Sequence, residues 1–555
     1  MSGEAAQDQL QLRAGLAGTR ARSGAAILRA PAWTLTALLG VVYLIAAPAS
    51  ADLAAASYRS YLFGRAGFTV WDNSWYGGHH LPAYSVLAPA LGWLIGPRLL
   101  ATVSMVIATA LFCALIEGRF PRRATRLAGL WFALGAAVAL LSCRVPFNLG
   151  LAIGLGALLL AQRGRRVGAV ALALVCALAS PVAGGFLALA ALAWWLAARG
   201  GRFALWLAAA ALTPIALLAV AFPEGGFQPF VASAFYPALL GVLLVAALIP
   251  AARGDARRTL RDGALLYALA LIGAYALRTP AGGNVDRLGA LAAGPLAACA
   301  LAYGAREDRW RAYALVALAP FLLYWQINAP LTDFLAARSD PSVHASYYAP
   351  LLGELERLHV GYGARPARIE VVPTVDHWEA RFVAARIAIA RGWERQLDNR
   401  RNALFYARSA PDAARMRAWL SDEGISLIAL PDAPLDYSGK AEAALLRSGE
   451  LPYAREIWRS AHWRLFEVLG ASGLARSPAL LTQLDDGSFT LLAPSAGTFV
   501  ARVRYTPYWS LSAHVGCIGQ AAGGWTALRV PRGGRFHAVI DFSVARVLDH
   551  SPRCG

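Results

Sequence analysis

Residues 98–143 read RLLATVSMVIATALFCALIEGRFPRRATRLAGLWFALGAAVALLSC, two apolar runs (98–116 and 127–143) around the loop EGRFPRRATR. Runs of about 15 to 20 apolar residues approach the length that crosses the hydrocarbon core of a bilayer. The loop holds Arg119, Arg122, Arg123 and Arg126, and short Arg-rich loops stay on the cytoplasmic side. The same alternation recurs along residues 1–330. Of 26 arginines there, twenty lie at the chain start or in alternate short loops; the other six are Arg59, Arg65, Arg98, Arg144, Arg278 and Arg287, in or beside the loops between. The pattern predicts a polytopic α-helical membrane protein with about eleven transmembrane helices, at 31–50, 98–116, 127–143, 147–162, 167–181, 183–198, 203–222, 231–250, 264–277, 290–304 and 312–329. Inner loops are expected at 117–126, 163–166, 199–202, 251–263 and 305–311. An odd count with the N-terminus inside puts everything after about 330 on the outer side of the plasma membrane.

Composition supports the class. With 57% hydrophobic residues and a mean hydropathy of +0.47, the 555 residues do not describe an ordinary soluble protein. The net charge of +19 divides unevenly, +15 over residues 1–330 and +4 over 331–555. The basic balance is therefore an orientation signal and a grip on anionic membrane lipids. No stacking platform accompanies it, so a nucleic-acid partner is not expected. Cys113, Cys143, Cys176 and Cys299 sit in or at the ends of apolar runs, where cysteine acts as a small hydrophobe. Cys517 and Cys554 fall in the outer part and can pair in an oxidising compartment. Neither CxxC nor zinc spacing occurs, and G-x-S-x-G, P-loop and dinucleotide fingerprints are missing. Residues 1–27 are polar and are expected to form a disordered cytoplasmic arm. Pro48-Ala49-Ser50-Ala51 resembles a signal-cleavage site, but the long arm before it favours a retained first helix.

Three further units are expected beyond that arm. The transmembrane domain covers 28–330 and includes an unusually long first outer loop, 51–97. Leu53, Ala56, Tyr61 and Leu62 cluster at helical spacing, which predicts a short helix over 52–63 on the bilayer surface. Gly64, Gly67, Gly77, Gly78 and Pro82 then break regular structure, and 83–96 reads as a half-length apolar segment or an extension of the second helix. An extracytoplasmic α/β layer covers 331–475, with helices at 346–360, 376–391, 412–423 and 441–448 and strands at 368–373, 424–431 and 462–469. A β-sandwich-like module covers 476–555, with strands at 479–484, 488–493, 498–505, 526–530 and 535–542.

The candidate chemistry lies on the outer face. Asp52 stands where the first helix meets the outside; it is either a hydrated interfacial cap or a general base. Asp72, Asn73, His79 and His80 crowd among Trp71, Trp75, Tyr76 and Tyr84. Adjacent histidines bind metal or phosphate oxygens, whereas the plainer reading is an aromatic belt with incidental polar partners. Arg144, Arg278 and Arg287 are placed for bidentate phosphate contact or for snorkelling to headgroups. Asn284 and Asp286 accompany Arg287 in a Gly-rich loop. Asp376, His377 and Trp378 follow the strand Ile369–Val372, and ligands often bind at the carboxyl ends of strands. With Glu379, Arg391, Trp393, Glu394, Arg395 and Asp398 they make a set suited to a sugar, or an ion-paired interface between domains.

A carboxylate ending the first helix, a surface helix with Tyr58, Arg59 and Tyr61, and a Gly-containing stretch leading to a small-residue and Pro segment resemble the start of GT-C-type membrane glycosyltransferases. The runs Val372-Pro-Thr-Val-Asp-His-Trp-Glu-Ala380 and Ala390-Arg-Gly-Trp-Glu-Arg-Gln-Leu-Asp398 are similar to those of large actinobacterial multi-pass membrane proteins often labelled as transporters. The first resemblance implies a GT-C-like fold and a polyprenyl-phosphate-linked sugar as donor. It implies an envelope glycan or glycolipid as acceptor and Asp52 as the loop carboxylate. Asp72, Asn73, His79, His80, Arg144, Arg287, Asp376, His377 and Trp378 would then bind substrate. His79 and His80 fall where some of those enzymes carry an acidic residue, which leaves a divalent metal cofactor open. The rival readings are a multi-pass transporter and a non-catalytic, glycan-binding envelope scaffold. Transporters place polar groups near the bilayer midplane; here the helices after the second are nearly uncharged through their centres.

Overall fold

A computed structural model describes residues 30–198, 201–249, 255–302, 309–407 and 409–554. The expected arm 1–27 and parts of the loops 199–202, 251–263 and 305–311 lie outside the described residues. Helices stand at all eleven expected places: Ala32–Ala46, Pro97–Ile116, Arg122–Ala139, Val145–Gln162, Arg166–Ala179, Pro181–Ala198, Arg202–Ala221, Ala232–Leu248, Asp255–Ala276, Asp286–Leu301 and Arg309–Arg338. Four of them are long and apolar enough to cross a membrane: Pro97–Ile116, Val145–Gln162, Arg202–Ala221 and Arg309–Arg338. A fifth span results if Ala32–Ala46 and the following Ala51–Ala66, bent by 77°, form one broken crossing. Eleven is thus the number of apolar helices matched; length and composition make spans of four or five.

Small residues let these helices approach. A Cβ on Gly294 would lie 2.4 Å from the Trp131 ring, and one on Gly289 2.2 Å from the Trp325 ring. Helix Asp286–Leu301 is therefore seated against Arg122–Ala139 and Arg309–Arg338 at a spacing only glycine permits. The last helix runs through Pro330 to Arg338, beyond its expected end at 329.

The first helix stops at Ala46 rather than 50 because Pro48 cannot continue it. Ala47 turns left-handed, and the Arg98 guanidinium donates to the carbonyls of Ala47 (2.8 Å) and Pro48 (3.0 Å). Ser50 Oγ donates to Ser142 O at 3.0 Å. This tied bend starts the second helix, Ala51–Ala66, with Asp52 in its first turn, where the helix dipole favours a carboxylate. Residues 88–95 form a separate short helix, broken from Pro97–Ile116 at Gly96.

Beyond the last apolar helix the chain forms three sheets. The first is five-stranded, in the spatial order Ala388–Ile389, Arg368–Val371, Ile425–Pro431, Trp463–Val468, Ala454–Arg459. Its first three strands are parallel and its last two antiparallel. The other two sheets are four-stranded and antiparallel, and pack face to face over Phe489, Leu491, Val503, Trp509 and Leu528. Cys517 and Cys554 are disulfide-bonded across neighbouring strands of one of them. One expected element fails. The segment 376–391 is helical only over Glu379–Phe382 and ends in the strand Ala388–Ile389. Its helix-forming alanines yield to pairing, since Ala390 N donates to Ile369 O and Ile389 N to Ser74 O, both at 2.9 Å.

That last bond joins the five-stranded sheet to the long loop 51–97. Trp71–Asp72 and His79–His80 form a two-stranded hairpin, and Trp75 bridges Ile389 at the edge of the five-stranded sheet. Trp71, Trp75, Tyr76 and His79 are all buried there. Trp75 stacks on Tyr58 of the surface helix at 4.8 Å and donates Nε1 to Ala380 O at 3.1 Å. Removing so large a buried ring costs about 3–5 kcal/mol. Trp75→Ala is therefore expected to lower the melting temperature of the purified protein by several degrees and to expose the 71–80 hairpin to protease; an unchanged melting temperature would show that the hairpin is not clamped.

Candidate active site at the helix ends

Four separated segments bring charge together at one end of the apolar helices. Arg144, just before helix Val145–Gln162, points its Nε at Asp52 Oδ2 (3.4 Å), and its Nη2 lies 4.0 Å from Asp333 Oδ2 on the last helix. Asp333 also accepts from Ser142 Oγ at 2.9 Å. Arg287, the second residue of its helix, lies within electrostatic range of Asp52, Arg144, Tyr84 and Asp333. All five residues are half-buried, so none of them is sealed in the interior. At 3.4 Å the Arg144–Asp52 contact is long for a hydrogen bond, which leaves the carboxylate free to find another partner. The amino ends of three helices also meet here, and such ends favour anions. Arg278 is not part of this group; it is exposed, over the Phe227 ring.

A narrow apolar cleft runs beside the cluster, between the surface helix and residues 84–89. It is lined by Ala56, Arg59, Tyr84, Pro89, Val145 and Pro146 among others. Arg59 crosses from the surface helix to pair with Glu394, and stacks over Tyr84 at 4.0 Å. Arg65, in the last turn of that helix, pairs with Asp486.

The hairpin residues are placed differently. Asp72 is buried and accepts from Tyr58 Oη (3.0 Å) and Ser74 N (2.9 Å). Burial and the neighbouring Asp486 push its carboxyl up to about 7. Asn73 accepts from Trp71 Nε1 and donates to Asp485 O, each at 2.7 Å, so it fastens the hairpin to a sandwich turn. His79 lies flat on Trp75 with neither ring nitrogen paired, and burial lowers it to about 3. His80 bonds Thr506 Oγ1 at 3.0 Å and approaches Glu224 at 2.9 Å. All four are enclosed between layers, away from the Asp52 cleft.

In the α/β layer, Asp376 is buried with its Oδ2 unpartnered. Burial and then Asp340 raise it to about 7, with Asp333 also in range. Of the 376–398 set, Asp376 is within electrostatic range of Asp333, and Glu394 of Tyr84. His377 faces the other way. Burial opposes its charge, but the carboxylates of Asp436, 3.8 Å away, and Glu379, which accepts from Nδ1 at 3.1 Å, lift it to about 9. Arg395 grips Asp436 with two bonds, 2.8 and 2.6 Å, and Arg391 grips Asp398 at 2.6 Å. Trp378 is buried on Phe382. Those charges form the ion-paired interior of the layer.

Asp333, Asp340, Ser142 and Glu224 escaped sequence reasoning. Asp333 lies past the expected end of the last apolar run at 329, on the part of the helix that continues to Arg338; Ser142 and Glu224 carried no local signal. Among the described residues, no three His, Cys, Asp or Glu side chains are grouped to hold a metal ion. His79 and His80 face different partners, so the donor set does not fit a resident metal.

No protein-family model and no curated protein matches the chain. Among solved structures it is similar to the mycobacterial arabinofuranosyltransferase AftD, at 16% identity and a TM-score of 0.40, over 81% of this chain and 41% of that one. It is also similar to the oligosaccharyltransferase AglB of Archaeoglobus fulgidus, at 13% identity and a TM-score of 0.35, over 72% and 69%. The chain spans about two-fifths of the length of the first.

Asp72 makes the hairpin pH-sensitive. Its folded value of about 7 lies above the ordinary 3.8, so the folded state keeps a proton that the unfolded chain releases. Stability then falls as pH rises from about 4 to 7, by at most about 4 kcal/mol from this group. Asp72→Asn should shrink the difference in melting temperature between pH 5 and pH 8; an undiminished difference would exclude Asp72 as a source. His79→Phe should melt no lower than wild type, since His79 makes no hydrogen bond to lose.

Proposed function

We propose that the chain is a multi-pass membrane glycosyltransferase that moves a sugar from a polyprenyl-phosphate donor to a cell-envelope glycan or glycolipid on the outer face. The meeting of Asp52 with Arg144, Arg287 and Asp333, from segments far apart in sequence, is the observation that carries this reading. Asp52 accepts the proton of an acceptor hydroxyl as that oxygen attacks the anomeric carbon. The bond from that carbon to the phosphate oxygen breaks, and the growing charge on the lipid phosphate is met by Arg144 and Arg287. Asp333 holds Arg144 in reach of both groups. The apolar cleft beside Tyr84 faces the side from which a lipid tail would approach. Asp376 is the acceptor-side group, and Asp72, Asn73, His79, His80, His377 and Trp378 hold the walls rather than touch substrate. We take the orientation from the arginine alternation, with the N-terminus cytoplasmic, and the units as 28–330, 331–475 and 476–555.

The placement of charge favours an enzyme over a carrier. Among the described apolar helices, charged side chains fall within about two turns of a helix end. Buried polar groups further in, such as Gln326 bonded to Trp131 (3.1 Å) and Thr36 to Thr109 (3.0 Å), are neutral and paired. A conduction path would need unsatisfied polar groups at that depth.

Release of polyprenyl phosphate from a panel of lipid-phosphate sugars measures the activity. Asp52→Asn is expected to lower it about 10²–10⁴-fold, and Arg287→Ala about 10²–10³-fold, with melting temperatures unchanged. Full turnover in a folded Asp52→Asn protein would remove the base. No turnover from any donor, together with glycan binding, would favour a scaffold.

A further inference from the structure

The sandwich carries an apolar turn that nothing among the described residues covers. After its strand Gly534–Ile540 come Phe542, the 3-10 turn Val544–Val547, and Leu548. Val544 is 77% exposed, Leu548 84% and Phe542 43%. Bulky aliphatic side chains grouped this way are uncommon on a surface facing water. The charges of the same segment are folded back on themselves. Arg546 bonds Asp549 (2.7 Å), Ser551 O (2.6 Å) and Pro507 O (3.2 Å), and Arg553 pairs with Asp541. The turn therefore offers an apolar tip on an internally neutralised neck.

Its position is tied to the end of a helix long and apolar enough to span a membrane, Arg202–Ala221. Phe542 packs on Phe222 (5.6 Å) and on Tyr508 (4.9 Å). Tyr508 Oη donates at 2.6 Å to Ala221 O, one of the carbonyls that a helix end leaves unpaired. One turn earlier on that helix, Leu217 and Val220 are exposed, at 64% and 53%. Exposed apolar side chains thus stand both on the flank of the helix near its end and on the turn that Phe542 ties to that end.

We propose that this turn is a membrane foot, with Phe542, Val544 and Leu548 inserted among the lipid acyl chains beside the end of helix Arg202–Ala221. The foot fixes the sandwich to the bilayer at a second point, distinct from the Arg65–Asp486 contact with the surface helix. It rests on the helix being a span and not on the glycosyltransferase reading, so either can fail alone.

Nitroxide labels at Val544→Cys and Leu548→Cys test it, each in the full chain in phosphatidylcholine nanodiscs. A Cys113→Ala background removes the half-buried native thiol, and Leu217→Cys serves as the lipid-facing reference. Both sites are exposed, so labelling leaves the fold intact. Oxygen, which partitions into lipid, is expected to relax both labels more than a water-soluble nickel chelate, giving a ratio above one as at Leu217. A ratio below one at both sites would place the turn in water and overturn the foot. Exclusion of both reagents with dipolar broadening between labels would overturn it in favour of a second copy of the chain.

Discussion

Water exclusion from the hairpin 71–80 is the constraint on which the joining of the sheets to the apolar helices depends. Trp71, Trp75, Tyr76, His79 and His80 are buried between the surface helix, the five-stranded sheet and the sandwich. Each layer contributes one face: Tyr58 stacks from below, Ile389 pairs from the sheet edge, and Trp509 meets Trp71 at 6.1 Å from the sandwich. Large aromatic rings supply most of the apolar area buried at such a junction. The backbone adds to it: Arg504 N donates to Gly77 O at 2.7 Å, and Asn73 N to Asp486 O at 2.8 Å. Gly77 and Gly78 make the tight passage with positive φ, where a Cβ on Gly78 would meet the Trp71 ring at 2.3 Å.

That junction also sets the outer wall of the polar cleft. Helix Ala51–Ala66 is held at its middle, Arg59 to Glu394, and in its last turn, Arg65 to Asp486, while Asp52 in its first turn follows the bend that Arg98 and Ser50 tie down. Below it, the close seating of Gly289 and Gly294 on Trp325 and Trp131 sets the position of Arg287. The arginines and carboxylates of the cleft are thus positioned by packing on opposite sides, apolar helices beneath and aromatic rings above. Inside the five-stranded layer, Arg391 shares one buried space with Glu370, Asp398 and Glu442. Glu370 is raised well above its ordinary range by burial and then by Glu442, so this cluster holds protons as well as charges.

How far the sequence can be read differs by element. The apolar helices carry their signal in continuous runs, and helices stand where those runs are. The strands Arg368–Val371, Ile425–Pro431 and Trp463–Val468 show local β-branched and aromatic enrichment, and they lie where that enrichment predicts them. Short pairing segments do not announce themselves. Ala388–Ile389 sits in an alanine-rich stretch that favours a helix, and only its partners Ile369 and Ser74 make it a strand. Trp509–Leu511 and Cys517–Gln520 are likewise too short for periodicity to register. Asp52, Arg144 and Arg287 were legible as candidates because a charge beside an apolar run is costly unless it faces water or a partner.

Local sequence was enough to place eleven apolar runs that form helices, a carboxylate just after the first of them, and a strand-rich end, though not the break at Pro48, where the first helix stops four residues short of its expected end. What was placed rests on properties of neighbours along the chain: run length and alternation. Only the tertiary structure decided which polar groups meet. Asp52 and Arg144 stand 92 residues apart, and Asp333 joins them from the last helix. The same step divided two similar clusters, leaving Asp52 half-open while closing His79 and His80 among rings. Burial depends on which layers cover a residue, and no local stretch of sequence encodes that.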